Sequence, residues 1–207
     1  MNKPKSLSQG IGDHNQVEQY YDEWSINYDQ NLKNWGYTAP TKSAIILQKN
    51  LHFKPKKILD IACGTGLFAE KITNIYPNAL IDGFDISKEI LKKAKVKKIY
   101  NKLFFSNFDE KILVRTKYSV VACIGAMTYT KNPRKLMLRV HDITKSKGFF
   151  IFSHRDDLWN KQNYSKLLKS LSNKWKIKFM SKPILYLPKN REFMNKIKIK
   201  ITLLEKN

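Results

Sequence analysis

Four residues between positions 60 and 85 have the types and spacing of a small-molecule cradle: Asp60, Gly64, Gly66 and Asp85. The run "ILDIACGTG" carries an aspartate at its apolar end and then a tight turn. There Gly64 and Gly66 can take torsions barred to other residues and let a ligand approach the main chain closely. Asp85 closes a second apolar run, "ALIDGFDI", 19 residues after Gly66. A carboxylate at that point can accept hydrogen bonds from both hydroxyls of an adenosine ribose.

The stretch "GTGLFA" also satisfies a loose dinucleotide pattern, which separates little by itself. Asp60 separates more. A pyrophosphate in the turn would meet its like charge a few ångströms away, at a cost of ~1–4 kcal/mol. A cationic ligand would be favoured there instead. S-adenosyl-L-methionine, with an ammonium, a sulfonium and no phosphate, fits that charge logic better than NAD. Taken singly, the glycines could serve an ordinary strand–helix turn and either aspartate could cap a helix. Their joint spacing is what points to a cofactor.

For these residues to converge, the two apolar runs must be strands of an open α/β sheet, whose ligands lie beyond the strands' carboxyl ends. The rest of the chain supplies the partners. "KKILDIA", "ALIDGFDI", "KLFFSNF", "YSVVACIGA" and "GFFIFSHR" read as strands. Helical segments separate most of them: "LFAEKITNIY", ended by Pro77; "SKEILKKAKVKKIY", capped by Ser87; and "PRKLMLRVHDIT". "NYSKLLKSLSNKW" is helical, "KIKFMSKPILYL" extended, and "KIKIKITLLEK" alternates as a half-exposed strand. This pattern predicts a doubly wound, mainly parallel sheet of seven strands. The last two strands, with no helix between them, form an antiparallel edge, so the last strand runs antiparallel.

Ahead of the first strand, Val17, Tyr20, Tyr21, Trp24 and Tyr28 recur at helical spacing. A second helix is expected over about Thr41 to Leu51, where Pro40 and Thr41 fit a helix start. Residues 13–51 thus form a helical N-terminal lid segment inside a single domain spanning 1–207. The polar first dozen residues are expected to be loose.

Composition sets limits around this reading. The formal charge of +22 could suggest nucleic acid, since neutralising phosphates releases counterions. Yet 34 of the basic residues are lysines and only 5 arginines, beside 21 isoleucines and 17 asparagines. These are residues of A/T-rich codons, and arginine, the better reader of phosphates and guanines, is scarce. Spread lysines favour a solvated surface; nucleic acid is the less favoured partner, not one that charge excludes. Cys63 and Cys123 form neither a CxxC pair nor a zinc-like cluster with histidine, so free thiols and no metal are expected. No run approaches the ~18 apolar residues of a bilayer span, and "MNKPKSLSQG" lacks the apolar core of a secretory signal. A soluble, cytoplasmic protein is expected.

"ILDIACGTG", "GFDIS" and the strand arrangement resemble the class I S-adenosylmethionine-dependent methyltransferases over nearly the whole chain. "YYDEWSINYDQNLKNWGYTAP", "KKAKVKKIYNKLFF" and "CIGAMTY" are similar to the small group that includes the Williams–Beuren-region methyltransferase-like protein. The resemblance implies methyl transfer, with S-adenosyl-L-homocysteine (SAH) as product, and implies little about the acceptor. It also implies roles. Asp60 and the turn backbone at Ala62 and Gly64 hold the methionine end, Gly66 shapes the turn, Asp85 takes the ribose and Ile86 packs on adenine. Asn107 stands where the family usually has an aspartate for the adenine amine, and its carbonyl can still accept that bond. Phe108 adds apolar contact, and Ile124 and Gly125 border the cofactor.

On the acceptor side, Tyr20, Tyr21, Tyr28, Trp35 and Tyr37 form an aromatic-rich entry segment. It reads either as a lid, stabilising a sulfonium by cation–π contact, or as a buried stripe. Tyr28 is the candidate partner of the methionine carboxylate, and Tyr20, Tyr21 and Tyr37 are candidates for substrate contact. His154 and Arg155 follow the fifth strand. His154 could serve as a base if the acceptor starts protonated, and Arg155 could clamp an acidic substrate; a structural histidine is the competing reading. The segment after the fourth strand, "CIGAMTY", lacks the Asp/Asn-Pro-Pro-aromatic motif that positions a base amine. A small-molecule acceptor is therefore expected, with an RNA methyltransferase or a cofactor binder without turnover as alternatives.

Overall fold

The chain enters through three helices, α1 (His14–Trp24), α2 (Tyr28–Asn34) and α3 (Ala39–Asn50). The helix expected to run on through Tyr28 is broken by a 3-10 turn at Ser25–Asn27. Serine and asparagine side chains compete with the helix for backbone hydrogen bonds, and Ser25 is buried in the break. The α3 helix starts slightly earlier than expected, with Pro40 in its first turn. In this computed structural model the described residues are 14–110, 112, 114, 116–193 and 196–207. Asp13, the first residue of the expected lid segment, and the polar first dozen lie outside them.

Strands and helices then alternate as β1 (Lys57–Ile61), α4 (Leu67–Ile75), β2 (Leu80–Asp85), α5 (Lys88–Val96), β3 (Lys102–Phe105) and β4 (Tyr118–Cys123). They continue as α6 (Pro133–Ile143), β5 (Thr144–Arg155), a short α7 (Asp156–Trp159), α8 (Tyr164–Ser170), β6 (Trp175–Met180), β7 (Ile184–Leu185) and β8 (Lys198–Lys206). The sheet order is β3-β2-β1-β4-β5-β8-β6, with β7 also paired to β8. The strands from β3 to β5 are parallel, and β8 runs antiparallel between β5 and β6. The mainly parallel, doubly wound sheet with an antiparallel last strand is the Rossmann-like methyltransferase fold. The expected seventh strand pair differs in one respect. The extended segment 176–187 splits into β6 and β7 around Lys182-Pro183, where proline offers no ladder donor, so the sheet has eight strands.

Strand alternation sorts the core onto two faces. Leu59, Ile61, Val121, Cys123, Phe150 and Phe152 pack against α6 and α8. Ile58, Ile81, Val120, Ala122, Phe149 and Ile151 pack against α3 and α4. A third cluster caps the sheet's carboxyl edge. Leu32 of α2 meets Leu187 and Phe193, with Trp24, Tyr28, Trp35, Tyr37 and Tyr186 packed around them. The N-terminal helices are thus fastened to the connection between β7 and β8, and burying Leu32 alone contributes ~1.5–3 kcal/mol. Since β1 lies between β2 and β4 and the order reverses there, the open crevice falls above the carboxyl end of β1.

Candidate functional site

At the end of β1 the backbone turns through the left-handed region, with Ala62 at φ 51°, Gly64 at 56° and Gly66 at 93°. Ala62 accepts a conformation that costs an L-residue ~1–2 kcal/mol. The turn is fixed from behind, since the Cys63 amide donates to the Phe84 carbonyl at 3.0 Å and the Gly64 amide to Asp85 Oδ2 at 2.9 Å. The other Asp85 oxygen accepts from the Ser87 amide at 3.0 Å. Ser87 caps α5 as its sequence position predicts, accepting from the Ile90 amide at 3.1 Å.

Above this turn lies a cleft. Ala62 and Gly64 form its floor, Asp85 and Ile86 one wall, and Asn107 and Phe108 the next. Ile124 and Gly125 border it at the end of β4, and Tyr21, Tyr28 and Tyr37 close it from the lid side. Asp60 lies on a smaller extension reached past Tyr28, Tyr37 and Gly64. Gly66 is on neither wall; it sits beneath them, where a side chain would strike the Tyr100 ring. The Asn107 carbonyl accepts from the Asp109 amide at 2.9 Å, closing its own turn, and so keeps one lone pair for a ligand.

The charge of the site is opposite to that of the protein. Among the described residues no lysine, arginine or histidine lines the cleft or its extension, although the chain carries 39 lysines and arginines. Two buried carboxylates stand there instead. Burial pushes Asp60 up to about 7, aided by the charge of Asp85 and opposed by a hydrogen bond from Tyr100. Burial also raises Asp85, opposed by the amides of Ser87, Gly64 and Ile86. The phenols of Tyr21, Tyr28 and Tyr37 are raised by burial as well, so they remain hydrogen-bond donors.

Two acids of the N-terminal helices reach the same loops. Asp22 accepts from the Ser87 hydroxyl and from the Glu89 amide at 3.2 Å. Asp29 accepts from the Thr65 hydroxyl in the glycine turn and from Lys97 Nζ at 2.9 Å. These contacts hold α1 and α2 over the cleft.

Several expected acceptor-side residues are placed elsewhere. His154 has no face on the cleft. It is fully buried, with Nδ1 2.8 Å from the Arg155 carbonyl and Nε2 2.8 Å from Gln162 Oε1, and its ring lies 4.0 Å from that of Tyr164. Burial lowers its pKa, opposed by the Gln162 and Arg155 oxygens at its two nitrogens. The expectation of a base does not match this position; the ring ties β5 to α7 and α8. Arg155 also stays off the wall, paired with Asp157 at 2.7 Å and beside the Phe193 ring. Tyr20 packs on Tyr21 and Trp24 outside the lining. In their place stand Tyr129 and Tyr186, which line the cleft and had no assigned role. Tyr21 donates to the Tyr129 hydroxyl, and Tyr186 meets Tyr37 edge to face at 5.6 Å. Tyr129 lies within "CIGAMTY", whereas nothing local marks Tyr186, which arrives from beyond β7.

No His/Cys/Asp/Glu group among the described residues could hold a metal ion. Both cysteines are buried and free. None of the described helices is long and apolar enough to cross a membrane.

Residues 35–183 match the family described as "Methyltransferase domain". The chain belongs to that methyltransferase family. It is 33% identical over 118 residues to malonyl-[acyl-carrier protein] O-methyltransferase 2 of Ilyobacter polytropus, covering 56% of this chain and 44% of that one. It is 30% identical over 158 residues to human methyltransferase-like protein 27, covering 74% of this chain and 63% of that one. The chain thus spans about half to two thirds of the length of these relatives. Among solved structures, the plantazolicin methyltransferase BpumL in complex with a pentazolic desmethylPZN analog and SAH superposes with a TM-score of 0.67 at 17% identity, covering 89% of this chain and 90% of that one. That likeness bears on the methyltransferase fold.

Proposed function

We propose that this methyltransferase-family chain transfers a methyl group from S-adenosylmethionine to a small-molecule acceptor by in-line displacement. The observation that carries the reading is the charge of the cleft: two buried carboxylates and, among the described residues, no basic lining residue, in a protein of charge +22. Phosphate would be repelled there and a cation attracted. The residues present fit the cofactor. Asp60 and the turn backbone at Ala62 and Gly64 would hold its methionine end, with Tyr28 at the carboxylate. Asp85 would take the ribose hydroxyls, Ile86 and Phe108 would enclose the adenine, and Asn107 would face its amine. Ile124 and Gly125 would form the rear wall. When bound, the cofactor supplies a methyl group activated by the sulfonium.

The chain's own part is positioning and exclusion of water. Tyr21, Tyr28 and Tyr37 close the cleft from the lid, and the phenols of Tyr37, Tyr129 and Tyr186 supply donors on the acceptor side. Alignment of two bound reactants can provide most of such a rate enhancement. No general base lines the cleft among the described residues apart from the two carboxylates, which favours an acceptor atom that arrives already nucleophilic. The name of the Ilyobacter relative, malonyl-[acyl-carrier protein] O-methyltransferase 2, is compatible with an oxygen acceptor.

Calorimetry with SAH, NADH and a short RNA tests the reading. Binding of SAH alone is the expected result; undetectable SAH binding by folded protein overturns it. Tight, steeply salt-dependent RNA binding would promote an RNA acceptor. SAH binding with no methylated product across an extract-wide mass search would mark a binder without turnover.

A further inference from the structure

Tyr100 is the unassigned residue on which the site most depends. It lies in the connection between α5 and β3, pinned by its neighbour: the Asn101 amide donates to the Ile81 carbonyl at 2.7 Å, and the Asn101 side chain to Asp82 at 2.8 Å. From there the ring passes between two glycines of the strands and turn. A β-carbon on Gly83 would lie 2.7 Å from Tyr100 Cε1, and one on Gly66 3.0 Å from Cε2. The contact at Gly83 is closer than side chains tolerate and the one at Gly66 is tighter than nearly all of them, so the absence of a side chain at 66 and 83 makes the channel through which the ring reaches the turn. Its hydroxyl then donates to Asp60 Oδ2 at 2.8 Å.

We infer that Tyr100 is a positioning residue for the cofactor, holding the Asp60 carboxylate from behind so that its free lone pairs face the amino-acid end of the bound molecule. This rests on the proposed S-adenosylmethionine site. The groups facing Asp60 are Tyr37 from the α2–α3 connection, Cys63 from the turn, Asp85 from β2, Tyr100 itself and Cys123 from β4. None of these is a cation. Among the described residues Asp60 therefore has one neutral donor, Tyr100, and no compensating charge. A neutral phenol suits that task, because burial and the adjacent carboxylate keep it protonated. A lysine in its place would neutralise Asp60 internally and compete with the ligand's ammonium. On this view Gly66 serves Tyr100 as much as it serves the turn.

The test compares two ligands that differ only in the end Asp60 faces. SAH carries the amino-acid group; 5′-methylthioadenosine lacks it. Tyr100→Phe is expected to weaken SAH about tenfold near pH 7 while leaving 5′-methylthioadenosine within about twofold, since losing one hydrogen bond to a buried carboxylate changes its orientation and raises its pKa. The SAH deficit should shrink as the pH rises and Asp60 ionises in both proteins. Equal weakening of both ligands would mark a merely structural tyrosine, and unchanged SAH affinity would show that the hydroxyl does not matter; either overturns the inference while wild-type SAH binding stands. Failure of the wild type to bind either ligand overturns the cofactor site itself and this inference with it. If Tyr100→Phe does not fold, carboxyl-carbon NMR of the wild type decides. SAH should lower the Asp60 titration midpoint by more than about one unit and 5′-methylthioadenosine should leave it in place; identical effects of the two overturn the inference.

Discussion

The amide of Gly64 donates to the carboxylate of Asp85 across 2.9 Å, so the cofactor turn after β1 and the acid at the end of β2 form one hydrogen-bonded unit. The second Asp85 oxygen fastens the same unit to the start of α5 through the Ser87 amide. Asp85→Ala removes the expected ribose acceptor and frees the turn together. SAH affinity measured by calorimetry should fall at least about tenfold. Unchanged affinity would mean that the ribose lies elsewhere.

Asp60 makes the empty site costly. Its pKa is raised from 3.8 to about 7, chiefly by burial. Between those values the folded protein holds this proton more tightly than the unfolded chain, so the contribution to stability falls as pH rises through that window. The cost is fully present above about pH 7 and absent below about pH 4. Asp60→Asn keeps an acceptor for Tyr100 and carries no charge. It should stabilise the ligand-free protein at pH 8 by about 1–4 kcal/mol in thermal or urea unfolding, have no such effect near pH 4, and weaken SAH binding. A variant less stable than the wild type at pH 8 would contradict this.

The N-terminal helices α1 and α2 are tied to the sheet by two aspartates with different partners. Asp22 caps onto Ser87 and the Glu89 amide, while Asp29 joins Thr65 and Lys97. Asp29 is partly exposed, and ion pairs of that kind contribute only about 0–1 kcal/mol. Asp22→Ala should therefore act more strongly than Lys97→Ala. Hydrogen exchange over residues 14–34 should quicken in both, and SAH should dissociate about two- to tenfold faster from Asp22→Ala by stopped-flow. Equal exchange in all three proteins would show that the latch is idle.

His154→Ala separates structure from chemistry. Losing a buried ring with two hydrogen bonds and a stacked tyrosine should cost about 2–4 kcal/mol in urea unfolding. SAH affinity of the folded variant should stay within about twofold, because no atom of His154 reaches the cleft. A selective loss of turnover with stability intact would restore the residue as a base.

Much of this site is readable because its parts are local to strand ends. Ala62 and Gly64 follow β1, Asp85 and Ile86 close β2, Asn107 and Phe108 come just after β3, and Ile124 and Gly125 follow β4. Once the strands are recognised from their apolar runs, topology alone brings these positions to one edge. Tyr100 and Tyr186 were not readable, because each reaches the site by a long-range path that no local period records. His154 was readable in part. It shares alternation with Phe150 and Phe152, which lie on the helix-covered face, so its parity already placed it in the core. The break at Ser25–Asn27 illustrates the reverse. A sound helical spacing continued through it, and the turn residues within the run carried the better signal.

The position of β8 has a consequence for biosynthesis. This strand lies between β5 and β6, yet the ribosome makes it after both. Until residues 198–206 emerge, β5 ends the parallel half with an open ladder, and β6 has no neighbour to pair with. The walls contributed by β1 to β4 can assemble early, but the sheet can be completed only once residues 198–206 have been made, by insertion of a strand and not by simple addition at an edge. A nascent chain stalled before residue 198 would expose unpaired, apolar strand edges, and such intermediates are the ones prone to aggregate.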